Sequence, residues 1–243
     1  MKIAIIGCGW VGSRLGKYLV GKNHHVIATT TTPEKVELLK ESATEVYLLD
    51  FNTTKDFDFL KNIDYAIFSM PISRDSWLEG FQKLQIHFPK TMLFSSTGIY
   101  PQENKTFTEK DRDNLRSDIL NAENLVREKY PQTNILRFGG LMGDERGLKN
   151  MFKNRTPENP SKLTNYIHYD DILKIVELFL NSPTQGETYN IVAPEHPTIA
   201  EVLGVEISSE PAENQPKFER LISSEKLIQD YHYTFIHPNP KYF

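Results

Sequence analysis

Residues 1–16 of this 243-residue chain read MKIAIIGCGWVGSRLG. Lys2 to Ile6 is a short apolar run rich in β-branched residues, the pattern of a parallel strand buried on both faces. It passes directly into Gly7, Gly9 and Gly12, spaced G-x-G-x-x-G, and then into a helical pattern over about Trp10 to Gly21. Gly7 suits a tight turn, and Gly9 lets a pyrophosphate approach the backbone. Gly12, with Gly16 one turn later on the same face, lets the helix lie close on the sheet. The N–H groups of Trp10, Val11 and Gly12, with the positive end of the helix dipole, then face the phosphates. The glycine spacing alone is weak. With a strand before it and a helix after it, it predicts a dinucleotide-binding site.

Composition fits an enzyme-sized globular chain. The length supports one large core, or one core with a small appended lobe. The 39% hydrophobic and 25% charged fractions are ordinary. Net charge is −4 without a basic block, which argues against nucleic acid or an anionic membrane as a partner. No apolar run approaches the ~18 residues that span a bilayer. The first apolar run is also too short for a signal-peptide core, so a cytoplasmic location is expected. Cys8 is the single cysteine, which leaves no disulfide frame and no multi-cysteine metal site. No metal is expected.

Strand and helix patterns then alternate, as in a doubly wound α/β sheet. His25 to Thr29 reads as a second strand. A dinucleotide fold commonly carries an acid here to bond the ribose 2′-hydroxyl. This chain has Thr29, Thr30, Thr31 and Thr32, then Pro33 and Lys35. Hydroxyls and a nearby cation, Lys35 or Arg14, suit a 2′-phosphate better, so NADP is favoured over NAD. Thr32 before Pro33 also reads as a helix cap. Glu45 to Leu49 is a third strand ending in Asp50, where such folds contact adenine. Ile63 to Ser69 is a fourth, stopped by Met70-Pro71, which start a loop over the cofactor. Ser76 to His87 reads as a helix with Trp77, Phe81 and Leu84 in the core. Thr91 to Ser95 is a fifth strand, opening into Ser96-Thr97-Gly98-Ile99-Tyr100-Pro101 at the edge where an open α/β sheet binds ligands. A charged helix is expected over Asp111 to Lys129 and a strand over Asn134 to Phe138. A glycine-rich loop (Gly139 to Gly147), an irregular stretch (Leu148 to Leu163), a helix (Asp170 to Leu180) and a last strand (Glu187 to Val192) follow.

Five separated motifs in this order resemble the short-chain dehydrogenase/reductases, and within them the extended, epimerase/dehydratase-like branch. They are GCGWVG, FSSTGIYP, ILRFGGLMGDER, NYIHYDD and ETYNIVAPEHPT. The resemblance implies one Rossmann-type unit, its core about 1–140 plus 165–193. It also implies a reduced C-terminal substrate lobe of about 141–164 and 194–243. Ser96 matches the family's catalytic Ser/Thr, which hydrogen-bonds a substrate hydroxyl or carbonyl.

The departures are as informative. Hydride-transferring members carry Tyr and Lys four residues apart on the helix after the fifth strand, where the Lys depresses the Tyr pKa. Anchored on Ala122-Glu123, these positions are Leu115 and Ile119. Neighbouring registers give Asn114/Asp118 or Arg116/Leu120. The one Tyr-x-x-x-Lys, Tyr18 to Lys22, ends the first helix and reads as chance. Dehydratases follow Ser96 with an acid pair, whereas this chain has Thr97-Gly98. Tyr100 is then the candidate proton donor, unless its ring simply packs. Thr97, Arg137, Arg146 and His168 are candidates for contact with a small-molecule substrate, the arginines for an anionic one. For each arginine a plain salt bridge is an equal reading, and for His168 a structural hydrogen bond. Two functions follow: an atypical NADP-dependent oxidoreductase or epimerase-like enzyme, or a non-catalytic NADP(H)-binding redox sensor or partner-binding protein.

Overall fold

In the computed structural model, which describes residues 1–183, 186–205 and 219–243, the first strand and helix fall where the sequence puts them. β1 spans Lys2–Ile6 and α1 Trp10–Gly21. β2 (His25–Thr30), α2 (Lys35–Leu39), β3 (Glu45–Leu48), β4 (Tyr65–Phe68), α3 (Leu78–Lys83) and β5 (Lys90–Ser96) follow. The chain continues through β6 (Thr106–Phe107), α4 (Ser117–Lys129), β7 (Asn134–Phe138), β8 (Gly140–Met142) and α5 (Leu148–Met151). It ends with β9 (Tyr166–His168), α6 (Tyr169–Leu180), β10 (Thr188–Ile191), α7 (Ile199–Leu203), β11 (Leu221–Ile222) and α8 (Glu225–Tyr231).

Seven strands form one Rossmann-like sheet in the order β10-β7-β5-β4-β1-β2-β3. β1 pairs in parallel with β2 and with β4, in registers Ile3↔Val26 and Ile6↔Phe68. β2 pairs likewise with β3, and β4 with β5. The order reverses between β1 and β4, the switch point at which open α/β sheets bind ligands.

The chain divides into two compact units. One comprises Met1–Ser96, Arg116–Leu136 and Val176–Thr188; the other comprises Thr97–Leu115, Arg137–Ile175 and Tyr189–Phe243. Residues 206–218, within the expected C-terminal lobe, lie outside the described residues. The first unit is held by an aromatic-rich core in which Ile6, Phe68 and Leu93 of the sheet meet Phe81 of α3, Ala122 and Val126 of α4, and Tyr130 just after α4. Phe68 and Phe81 pack edge to face at 5.1 Å, and each fully buried ring stabilises by about 1.5–3 kcal/mol. In the second unit β8 pairs in parallel with β9, and β6 with β11. Met142, Leu148 and Val202 form its small core, with Phe152, Tyr166 and Phe243 packed against it.

Three elements differ from the sequence pattern. α3 covers only Leu78–Lys83 of the expected 76–87, because the Trp77 indole is tied to the Pro71 carbonyl (3.1 Å) and Leu84 turns extended. α4 begins at Ser117, not Asp111. The Asp111 carboxylate accepts from the Thr108 N–H (2.7 Å) and hydroxyl (3.0 Å), closing a turn, and Asn114 adopts φ 53°. The glycine-rich loop contains β8. Its close pairing with β9 needs Gly140, whose added Cβ would run into the Tyr166 ring. Among the described residues no helix is long and apolar enough to cross a membrane.

Candidate functional site

The glycine loop is pinned from both sides. The Gly7 N–H donates to Thr29 Oγ1 (3.0 Å) and the Cys8 N–H to the Thr29 carbonyl (2.7 Å). Gly7 sits at φ +84°, and a Cβ there would lie 2.9 Å from the Met70 nitrogen, so the end of β4 crosses directly against it. The Ser69 N–H in turn donates to the Ile6 carbonyl (2.8 Å). Gly12 abuts Cys8 Sγ and Ile5 Cγ2, each 3.2 Å from an added Cβ, and a Cβ on Gly16 would strike the Ser42 carbonyl. Gly9 is different. An added Cβ meets nothing within 4 Å, and as N-cap of α1 it offers no side chain to the first-turn N–H groups. Those donors have no partner within the helix, and α1 has no acid in its first turn. Burial pushes the Cys8 thiol up to about 12, so it fills space rather than reacting.

The remaining expected nucleotide contacts are spread around this loop. The Thr30 side chain is buried and accepts from the Thr32 N–H (3.1 Å), while Thr31 and Lys35 are exposed. Thr32 is not the cap: α2 starts at Lys35 with Glu34 as N-cap, because residues 32–35 form a turn closed by Lys35 N–H on the Thr32 carbonyl (3.1 Å). Arg14 lies over the Trp10 ring at 4.0 Å and donates to the Trp10 carbonyl (3.2 Å). Asp50 accepts from the Asn52 N–H (2.9 Å), an Asx turn that engages one carboxylate oxygen. Met70 is buried and Pro71 exposed.

Ser96 ends β5, half-buried. By register Gly7 aligns with Ser69 and Phe94, which puts the Gly7 loop, Ser69 and Ser96 at the same carboxyl edge of three adjacent parallel strands. Its neighbour Ser95 faces the other way, as strand alternation requires, donating to the buried Glu123 of α4 (2.6 Å). Tyr18 and Lys22 both engage Glu177, by a hydrogen bond of 2.5 Å and an ion pair of 3.1 Å, which accounts for that Tyr-x-x-x-Lys.

In the second unit Tyr100 is 1% exposed and Arg137 0%. Tyr100, expected to offer a proton, has its hydroxyl occupied: it accepts from Arg137 (2.8 Å) and donates to Asn190 Oδ1 (2.8 Å). Its ring stacks on Phe107 at 5.2 Å. Burial raises its pKa, and the Arg137 charge pulls it back only in part. Arg137, expected at an anionic substrate, is spent on the same hydroxyl. Asn190 continues the chain, its N–H donating to Glu109 (2.7 Å) and its amide to the Ser223 carbonyl (3.2 Å). Burial raises Glu109, against the Asn190 N–H, Lys226 and Arg137. Arg220 donates to the carbonyls of Thr97 (2.5 Å) and Pro101 (3.0 Å), clamping the loop in which Thr97 is buried. Arg146 is exposed in a tight turn, its backbone bonded both ways with Gly143 at 2.9 Å.

His168 is buried but not alone. Its Nδ1 lies 3.3 Å from Asp170 Oδ2, and His237 Nε2 lies 3.0 Å from the same oxygen. Burial lowers the His168 pKa, helped by His237 and opposed by Asp170, Asp171 and Asp144. Sequence reasoning found His168 but missed its partners, together with Glu109, Asn190 and Arg220. Asn190 lies inside the motif ETYNIVAPEHPT, the one signal that pointed to it. His237 stands 67 residues from Asp170, a separation that no local pattern encodes.

Residues 2–74 match the family model described as NADP oxidoreductase coenzyme F420-dependent. Protein YeeZ of Escherichia coli K12 is 28% identical over 235 residues, covering 84% of this chain and 85% of that protein. A functionally unknown conserved protein from Silicibacter pomeroyi DSS matches in structure with a TM-score of 0.81 at 16% identity, covering 99% of this chain and 95% of that one. The UDP-glucuronic acid 4-epimerase of Bacillus cereus, solved with UDP-glucuronic acid and NAD, gives 0.74 at 17% identity, covering 99% and 96%. At these identities the structural matches carry the fold: the chain is a Rossmann-like α/β protein.

Proposed function

We propose that this chain binds NADP and works as an oxidoreductase or epimerase-like enzyme on a small molecule, in the extended branch of the short-chain dehydrogenase/reductases. One observation carries the reading: the open space over Gly9 at the uncapped N-terminus of α1, beside the β1/β4 switch point. A side chain would fill that space, and a pyrophosphate fits it. The backbone of Gly7, Gly9, Trp10, Val11 and Gly12 would hold the diphosphate, and Thr30, Thr31 and Lys35 the 2′-phosphate. Asp50 would meet the adenine, with Ser69, Met70 and Pro71 covering the ligand. When bound, the nicotinamide supplies hydride exchange.

The chain's own part is orientation. Ser96, at the same strand edge as the glycine loop, offers a hydroxyl to a substrate oxygen. We assign Tyr100 to positioning rather than proton transfer: enclosed between Arg137 and Asn190, it holds the 97–101 loop. Arg146, exposed in its turn, would meet an anionic substrate. The same enclosure of Tyr100, with no Tyr or Lys at 114–120, favours a second reading, a non-catalytic NADP(H)-binding sensor. Titration calorimetry tests the cofactor. NADPH should bind roughly 10–150-fold more tightly than NADH, the worth of one charge-assisted contact of about 1.5–3 kcal/mol. Thr30→Asp should reverse the order by like-charge repulsion; equal affinities in the unmodified chain would end the NADP reading. NADPH oxidation across a panel of carbonyl and nucleotide-sugar substrates separates enzyme from sensor.

A further inference from the structure

We propose that His168, Asp170 and His237 form a binding site for a divalent transition-metal ion of the zinc, cobalt or nickel class. The three ligand atoms lie within 4.8 Å of one another. Asp170 Oδ2 is 3.0 Å from His237 Nε2 and 3.3 Å from His168 Nδ1. An ion about 2.0–2.2 Å from each ligand gives tetrahedral edges of roughly 3.4 Å. The two edges to Asp170 are already near that length, and the edge between the two imidazoles, at most 4.8 Å, closes by movement of the rings. Two imidazoles and one carboxylate match borderline divalent ions rather than calcium or magnesium, which take oxygen shells.

The cluster is also held in shape. The fully buried Asp171 carboxylate accepts from the Tyr233 hydroxyl (2.8 Å) and from the N–H groups of Ile236 (2.7 Å) and His237 (3.0 Å). That clamp presents His237 to a residue pair on the rim of α6. The His168 ring is stacked on Tyr169 at 4.8 Å and edged by Phe243 at 5.4 Å. It also sits so close to Gly143 that a Cβ there would lie 2.8 Å from its Nε2. Asp144 and Asp171 add negative potential at His168, which offsets the positive end of the α6 dipole. The Asp170 N–H donates to His168 Nδ1 at 3.2 Å, a long bond that the ion would replace. Three protein ligands leave a fourth position for water or a ligand oxygen.

The test uses the full chain after chelator treatment and dialysis. Zn²⁺ is titrated by calorimetry, and Co²⁺ by its ligand-field absorption. One equivalent of Zn²⁺ should bind, and Co²⁺ should give a four- or five-coordinate spectrum. His237→Ala and Asp170→Asn each remove a ligand and should weaken Zn²⁺ by at least the roughly 10–100-fold that loss of an outer-shell partner costs, while His87→Ala, an exposed histidine elsewhere, should change nothing. Circular dichroism checks folding, and Asp170→Asn keeps the side-chain shape should His237→Ala fail to fold. The proposal is overturned if the unmodified chain takes up no stoichiometric Zn²⁺. It is equally overturned if folded Asp170→Asn binds as tightly as the parent, or if His87→Ala abolishes binding.

Discussion

Replacing Gly9 with Val puts a branched side chain into the space that the proposed pyrophosphate would use. The backbone there is extended (φ −98°, ψ −153°), and the new Cβ would meet no atom within 4 Å. The fold should therefore tolerate the change, losing only the difference between Gly and Val at an N-cap, on the order of 1 kcal/mol. For a chain of this size that lowers Tm by about 2–4 °C. Nucleotide binding should suffer far more. If the side chain holds the phosphates off two first-turn N–H groups, two charge-assisted bonds of about 1.5–3 kcal/mol each are lost. The sum, about 3–6 kcal/mol, weakens binding by roughly 10²–10⁴-fold. Calorimetric titration with NADPH, beside a thermal melt with and without it, reads both quantities. A folded Gly9→Val chain that binds NADPH within threefold of the parent would refute the glycine-loop argument.

Other outcomes follow from the buried groups. At pH 8 a thiol at about 12 is ionised to only about 10⁻⁴, so Cys8 should resist thiol reagents in the native state and label at the rate of unfolding; fast native labelling would contradict its burial. Tyr100→Phe strips Arg137 and Asn190 of a shared buried partner and should cost about 1–3 kcal/mol in denaturant melts without changing NADPH affinity. An unchanged midpoint would remove Tyr100 from the network. Burial raises Glu109 in the folded chain, so its contribution to stability is present at and below the unfolded value, about 4.3. It is lost as pH rises through the folded value. The Tm difference between Glu109→Gln and the parent should therefore shift in favour of Gln from about pH 4 to pH 7. A constant difference would show that Glu109 does not titrate in that window.

The glycine-loop half of the candidate site was legible because its determinants are local. β1, α1 and β7 lie on the residues that the apolar runs and glycine spacing mark, since alternation, helical period and turn chemistry act over a few residues. Threonines in place of an acid after β2 were visible in the same way. The Trp77–Pro71 bond shortens α3 and the Thr108–Asp111 turn delays α4; both are short-range bonds of side chain to backbone, which apolar periodicity does not register. Tertiary structure decided the rest. Tyr100 reads as a proton donor at a strand end. Only the return of Asn190, 90 residues on, shows that its hydroxyl is engaged. His168 reads as a lone imidazole until the chain brings His237 to the same carboxylate oxygen. A sequence specifies such long-range meetings through the summed burial of the whole chain, so the residues that meet carry no spacing by which to foresee them.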